Sequence, residues 1–228
     1  PGGVCITAVG GQKLKFTYRG RGGHALGAFG IPNANNALGR AIAKIAEIQV
    51  PSQPKTVFNV GVVSGGVSVN AIPSESSMLI DMRSVDGAVL ETLVAQVKAA
   101  CQQALEEELA RWNHPTETLT LTCEALSIRP GGSQSETDPI AQAAKAANDA
   151  IGFATKFGGG STDANIPISL GVPGVAIGRG GTQHDGHAVT ERFLPTDAYK
   201  GPQRAFLLAL ELVGFKDICQ PVLQKRNG

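Results

Sequence analysis

The sequence predicts a mixed α/β chain in two parts, and three observations carry that reading. Segments of apolar–polar alternation and segments of helical periodicity follow one another in the order βαββαβ over residues 13–124. After a polar connector, "SIRPGGSQSETDP", the texture changes to an alanine-rich helix and short strands set between glycine turns. Hydrophobic residues make up 42% of the 228 and charged residues 17%, the balance of a packed globular chain.

The opening "PGGVCITAVGGQ" reads as a strand entered midway, with no charged segment of a signal peptide and no initiating methionine. "KLKFTYR" alternates, with Leu14, Phe16 and Tyr18 on one face of a half-buried strand. A glycine-rich loop, "GRGGHALGAFGIP", follows and holds His24. Leu38, Ala41, Ile42, Ile45 and Ile48 then recur at helical spacing, and Asn33 or a neighbouring Asn can cap that helix. "KTVFNVGVV" is a second strand, "GGVSVNAIPSES" a loop or bulged connection, and "SMLIDMRS" a third strand. That third strand sets Met78, Ile80 and Met82 on one face and Asp81 and Arg83 on the other. A long helix is predicted from Gly87 to Ala110, its stripe made of Leu90, Leu93, Val94, Val97, Cys101, Ala104, Leu105 and Leu109. "ETLTLTCEA" completes the unit, with Leu119, Leu121 and Cys123 on one face. Two helices covering one face of a four-stranded antiparallel sheet is the ferredoxin-like way to bury these stripes.

In the second part, "PIAQAAKAANDAI" is a helix with Asp138 as N-cap and Pro139 in its first turn. "ATKFGGGSTDANIPISLGVPGVAIGRGG" alternates strand, turn, short helix and strand, and "PTDAYKGPQRAFLLALELVGF" closes with an amphipathic helix. Two or three strands of a parallel sheet, which needs cover on both faces, make this part of a larger α/β domain.

Charge narrows the function. Lys and Arg number 20 and Asp and Glu 19, for a net charge of +1, and no basic run recruits nucleic acid or an anionic membrane. Apolar runs fall far short of the roughly 20 residues of a membrane span. Cys5, Cys101, Cys123 and Cys219 are widely spaced in apolar surroundings and form no CxxC pair. Reduced, buried thiols in a cytoplasmic protein are the expectation.

Several residues have chemical potential. In "GHAVTERF", His187 follows a glycine and the predicted strand "GVAIG", where sites form in open α/β sheets. It is either a metal ligand oriented by a carboxylate such as Glu191, or a surface loop histidine. His184 and Asp185 are weaker candidates of the same kind. The glycines of "GGGSTDAN", Gly158 to Asn165, can hold an anion on free N–H groups, or simply turn a strand into a helix capped by Ser161, Thr162 or Asp163. His24 can donate a hydrogen bond to a developing oxyanion, or be an exposed histidine. Arg83 can pair with Asp81 or grip a carboxylate with its guanidinium fork, and Asn70 is a polar neighbour of an apolar strand. His114 reads as a surface turn residue, and Glu106 to Glu108 as a solvated helix face.

The order of these pieces, "GRGGHA", "VNAIP", "IDMRS", "GGGSTDA", "GVPGVAIG" and "GHAVTE", resembles the zinc amidohydrolase and peptidase family of peptidase T, glutamate carboxypeptidase, acetylornithine deacetylase and succinyl-diaminopimelate desuccinylase. The resemblance runs from about Val4 to Leu212. It implies a ferredoxin-like lid, 11–125, which dimerises, and the C-terminal part of a zinc-hydrolase catalytic domain, 126–228 with 1–10. It makes His187 the last metal-ligand histidine. His24 becomes the lid histidine that reaches into a partner subunit's active site and stabilises the tetrahedral intermediate. Asn70 and Arg83 become substrate contacts, often to a carboxylate, and Gly159 and Thr162 part of a loop lining the substrate cleft. The implied protein is a homodimer that hydrolyses an amide bond in a small peptide or N-acyl amino acid with one or two zinc ions.

The family's first catalytic segment, with its HxD motif and Glu-Glu pair, is not found here; the string "HDGH" lies at the wrong end of the order. The remaining ligands are expected upstream of Pro1, and this chain alone is expected to be inactive and to lack zinc. The alternative is a non-catalytic dimerisation or ligand-binding module of the same ancestry. A ferredoxin-like regulatory domain of other origin would explain the lid but not the "GHAVTE" order.

Overall fold

The structure is a computed structural model that describes residues 2–186 and 188–224. The chain divides into two compact units, Gly10–Pro130 on one hand and Pro1–Val9 with Gly131–Gly228 on the other. Strand β1 (Gly3–Ala8) opens the second of these.

The inserted unit runs β2 (Gly10–Gly20), β3 (Gly23–His24), α1 (Ala34–Ala46), β4 (Thr56–Gly65), β5 (Ala71–Ile72), β6 (Glu75–Ser84), α2 (Gly87–Trp112) and β7 (Leu119–Arg129). Its four long strands form an antiparallel sheet in the order β4-β6-β2-β7, the ferredoxin-like arrangement that the βαββαβ pattern predicts. Alternation explains the register. Leu14, Phe16 and Tyr18 pair with Ile80, Met78 and Ser76, and the apolar members point to the same buried face. Against that face α1 and α2 lay Leu38, Ala41, Ile45, Leu93, Val97 and Cys101, all buried. Both helices start on a side-chain cap. Asn33 Oδ1 accepts from the N–H groups of Asn35 and Asn36, and Asp86 Oδ1 from those of Ala88 and Val89. Asn113, in the left-handed conformation, ends α2 with its N–H on Leu109 O at 2.8 Å.

Three expectations for this unit need correction. "GGVSVNAIPSES" is more than a loop, because β5 lies within it and pairs with β3. Cys123 is exposed, since β7 is an edge strand whose residues from Thr122 to Arg129 are all exposed. Glu106 to Glu108 is not uniformly solvated, for Glu108 is 0% exposed.

The flanking unit adds β8 (Gly132–Ser133), α3 (Pro139–Ala150), β9 (Lys156–Gly160), α4 (Asn165–Ser169), β10 (Ala176–Ile177), β11 (Thr182–His184), β12 (Arg192–Leu194) and α5 (Lys200–Val213). The expected parallel sheet is mixed. β9 runs parallel to β1, whereas β10 and β8 pair with β1 antiparallel. Ala141, Ala144 and Ala147 of α3 and Leu208 of α5 pack with Val4 and Ile6 of β1. Asp138 holds the N-cap position of α3 but makes no side-chain cap bond; its Oδ2 accepts from Ser135 N instead. Arg204 is fully buried and donates to Asn148 Oδ1 at 2.6 Å and to Gly178 O. Burial lowers the pKa of that guanidinium. Cys219 is exposed, which corrects the expectation of buried thiols; Cys5 is intermediate and Cys101 buried. Among the described residues no helix is long and apolar enough to cross a membrane.

Candidate functional site

His24 is exposed on a platform of two short strands at one end of the inserted unit. The chain leaves β2 at Gly20, whose N–H bonds Ser74 O at 2.9 Å, and turns at Gly22. Gly22 has φ +69°, and a Cβ there would lie 2.9 Å from Ile72 O, so a side chain is excluded on both counts. β3 then pairs with β5, His24 opposite Ala71. Ala25 N donates to Asn70 O at 2.9 Å, which ties the histidine loop to the Asn70 loop. Ser68 Oγ donates to Asn70 Oδ1 at 2.6 Å, and the Asn70 amide nitrogen has no partner among the described residues. His24 and Asn70 therefore lie on adjoining loops tied through their backbones, and each side chain has a donor that an anionic oxygen can use.

Beyond His24 the loop is fastened to α2. Glu108 Oε1 accepts from Asn33 N at 3.1 Å and from Trp112 Nε1 at 2.8 Å. Its Oε2 accepts from Arg40 Nε at 3.3 Å. The Phe29 ring meets the Trp112 ring edge-on, 5.3 Å between centroids. Sequence reasoning missed this clamp, although a signal was present: Glu108 falls on the apolar stripe, four residues after Ala104 and four before Trp112. Glu107, one position earlier, is half-exposed, and its hydrogen bond from Lys44 lowers its pKa. His114 is a turn residue with a structural task, its Nδ1 accepting from Thr116 N and Glu117 N.

Arg83 is not part of this platform. It lies opposite Gly11 and Val57, whereas the platform adjoins the end where Glu75 meets Arg19. At about 3.3 Å per residue the two ends are roughly 25 Å apart. Arg83 Nε pairs with Asp81 Oδ2 at 2.9 Å, with 47% of its side chain exposed.

In the flanking unit, Gly159 and Thr162 border a groove of about 460 Å³ that also takes in Cys5 and Ile177. A Cβ on Gly159 would come within 3.2 Å of Thr7, so glycine permits the close β1–β9 approach. The turn after β9 is satisfied from within, Thr162 N donating to Asn165 Oδ1 at 2.8 Å and Ala164 N to Thr162 Oγ1 at 3.2 Å. α4 has only five residues. His184 pairs with Arg192 across the β11–β12 hairpin, and Arg192 Nη1 bonds Asp185 Oδ2 at 3.0 Å. His187 lies outside the described residues. Among the described residues no three of His, Cys, Asp and Glu are grouped to hold a metal ion, so they do not by themselves fit a zinc site.

Residues 6–109 match the family model of a peptidase dimerisation domain. The likeness that the motifs suggested is borne out there. Solved structures agree on the fold. An aminopeptidase PepT of Bacillus cereus ATCC 10987 is 22% identical with a TM-score of 0.70, covering 91% of this chain and 53% of its own. A tripeptidase of Staphylococcus aureus is 20% identical with a TM-score of 0.71, covering 91% and 52%. The uncharacterized protein YqjE of Bacillus subtilis (strain 168) is 25% identical over 184 residues, 78% of this chain and 46% of its own. The chain thus spans about half the length of these relatives. The matched residues include the His24 platform, Asn70, Arg83 and Glu108.

Proposed function

We propose that this chain belongs to a metal-dependent hydrolase that cleaves an amide bond in a small carboxylate-bearing peptide or N-acylated amino acid. The observation that carries the reading is the exposed His24, held beside Asn70 by the β3–β5 pair within a peptidase dimerisation domain. His24 donates to the oxygen that gains charge as the carbonyl becomes tetrahedral. That bond strengthens along the reaction, so its loss lowers turnover by roughly 10²–10³-fold.

Arg83 takes the substrate carboxylate. Its pair with Asp81 is half-exposed and yields at a cost of about 1 kcal/mol or less. The roughly 25 Å between Arg83 and His24 prevents both from gripping one small substrate within one copy. A homodimer through this domain removes the conflict, since His24 and Asn70 of one copy then serve the substrate held by Arg83 of the second. β4, an edge strand with Val62 and Val63 more than half exposed, favours such self-association. One or two zinc ions would be held by His187 with groups outside the described residues. Gly159 and Thr162 border the substrate cleft. Four free cysteines favour a reducing, cytoplasmic location.

The test is hydrolysis of a panel of dipeptides, tripeptides and N-acyl amino acids by the intact protein supplied with zinc. Hydrolysis that falls by roughly 10²–10³-fold in kcat for His24→Ala supports the reading. Normal turnover in that variant removes His24 from the mechanism. Dimers that hydrolyse nothing leave a dimerisation or ligand-binding module.

A further inference from the structure

The end of the dimerisation domain that carries His24 is devoid of net charge. No Asp, Glu, Lys or Arg occurs between Arg21 and Arg40, or between Lys55 and Glu75, the two segments that build it. The charges at its border cancel in pairs, Arg19 with Glu75 and Arg21 with Glu117, each at 2.8 Å. In place of charge the platform presents aliphatic side chains in water. Val69, immediately before Asn70, is 103% exposed, Val67 is 96% exposed, and Leu26, two residues after His24, is 85% exposed. Beside the platform lies a groove of about 460 Å³ lined by glycines, Val67, Ala71 and Ile72, with Arg21 and Glu75, paired to Glu117 and Arg19, at its border. Isolated exposed aliphatics are ordinary, but these three lie within three residues of His24 or Asn70 on two loops that the β3–β5 pair joins.

We propose that Leu26, Val67 and Val69 select the substrate by contacting an uncharged, apolar group next to the scissile amide: an aliphatic acyl chain or aliphatic side chain. This rests on the hydrolase reading above. If His24 and Asn70 touch the reacting carbonyl, the residues adjoining them border what that carbonyl carries. A charged group held against these aliphatic side chains would lose water and find only border charges already paired with one another, so it is disfavoured. The carboxylate of the same substrate is recognised elsewhere, by Arg83. Substrates are thus apolar at one end and anionic at the other.

The test uses the intact protein with zinc and three matched substrates, N-acyl amino acids or dipeptides that differ only in a leucyl, aspartyl or lysyl group at that position. We expect kcat/KM for the leucyl substrate to exceed the others by roughly 10–100-fold. Val69→Asp should cut the leucyl rate by about tenfold or more and raise the lysyl rate, and Val67→Ser should cut the leucyl rate alone. Both side chains are exposed, so folding is unaffected, and gel filtration checks the dimer. Equal rates on the three substrates would overturn the proposal while leaving the hydrolase reading intact. So would a uniform loss on all three, with or without a change in assembly, because the patch would then meet protein rather than substrate. No hydrolysis of any substrate would overturn both.

Discussion

Removing the Glu108 carboxylate should loosen the histidine loop at a cost that can be worked out from its contacts. Glu108→Ala strips the acceptor from Asn33 N–H and Trp112 Nε1–H, and leaves Arg40 without its partner. A partly buried donor left without an acceptor costs about 1–3 kcal/mol, and two are orphaned here. Arg40, with 36% of its side chain exposed, can turn to water and adds little. Relaxation and entering water reduce the total, so a loss of about 3 kcal/mol is expected for alanine. Glu108→Gln keeps a carbonyl oxygen where Oε1 serves both donors but loses the charge and the Oε2 acceptor of Arg40, which turns to water, for about 1 kcal/mol. Trp112 is the single tryptophan of the chain, so its fluorescence during urea unfolding reports on this unit without interference. If alanine costs less than about 0.5 kcal/mol, Glu108 is solvated and the clamp is not a feature of the folded protein.

Other outcomes follow from burial and charge. Glu211 Oε2 is buried without a hydrogen-bond partner among the described residues, and that burial raises its pKa. The folded state therefore holds this proton more tightly than the unfolded one, and the stability it contributes is present at low pH and lost as pH rises through the raised value. Glu211→Gln should raise Tm at about pH 8 and leave it unchanged at about pH 3; a shift at low pH only would contradict this. Burial pushes the Cys101 thiol up to about 12, whereas Cys123 and Cys219 are exposed. A thiol reagent should label Cys219 first, then Cys123, whose pKa is also raised by partial burial, and reach Cys101 only after unfolding. Labelling of Cys101 in the native protein, read by mass spectrometry, would show the core to be open.

Much of the inserted unit was legible because its strands are half-buried and its helices amphipathic. Leu14, Phe16, Met78 and Ile80 alternate in sequence and are buried in fact. Asn33 caps its helix as expected. What escaped has physical reasons. β3 and β5 have two residues each, too few for any period, and their pairing depends on Gly22 and on contacts across the chain. Alternation tells which face Cys123 shares with Leu119, but not that β7 is an edge strand left uncovered at that point. Charge type suggested solvent for Glu108, while its position on the stripe, with Trp112 one turn on, placed it inside. The resemblance makes Arg83 and Asn70 both substrate contacts; the length of β6 sets them apart within one copy. The mixed sheet around β1 escaped because β8 and β10 are two-residue strands as well.

The central claim, that His24 of one copy acts on the substrate of another, is tested most directly by mixing two inactive variants of the intact protein. His24→Ala removes the donor and keeps His187; His187→Ala removes the proposed ligand and keeps His24. After subunits exchange with zinc present, mixed dimers contain one complete site, and the account predicts recovery of about a quarter of wild-type turnover. Turnover that stays at the level of the separate variants, with mixed dimers shown to form, would contradict it.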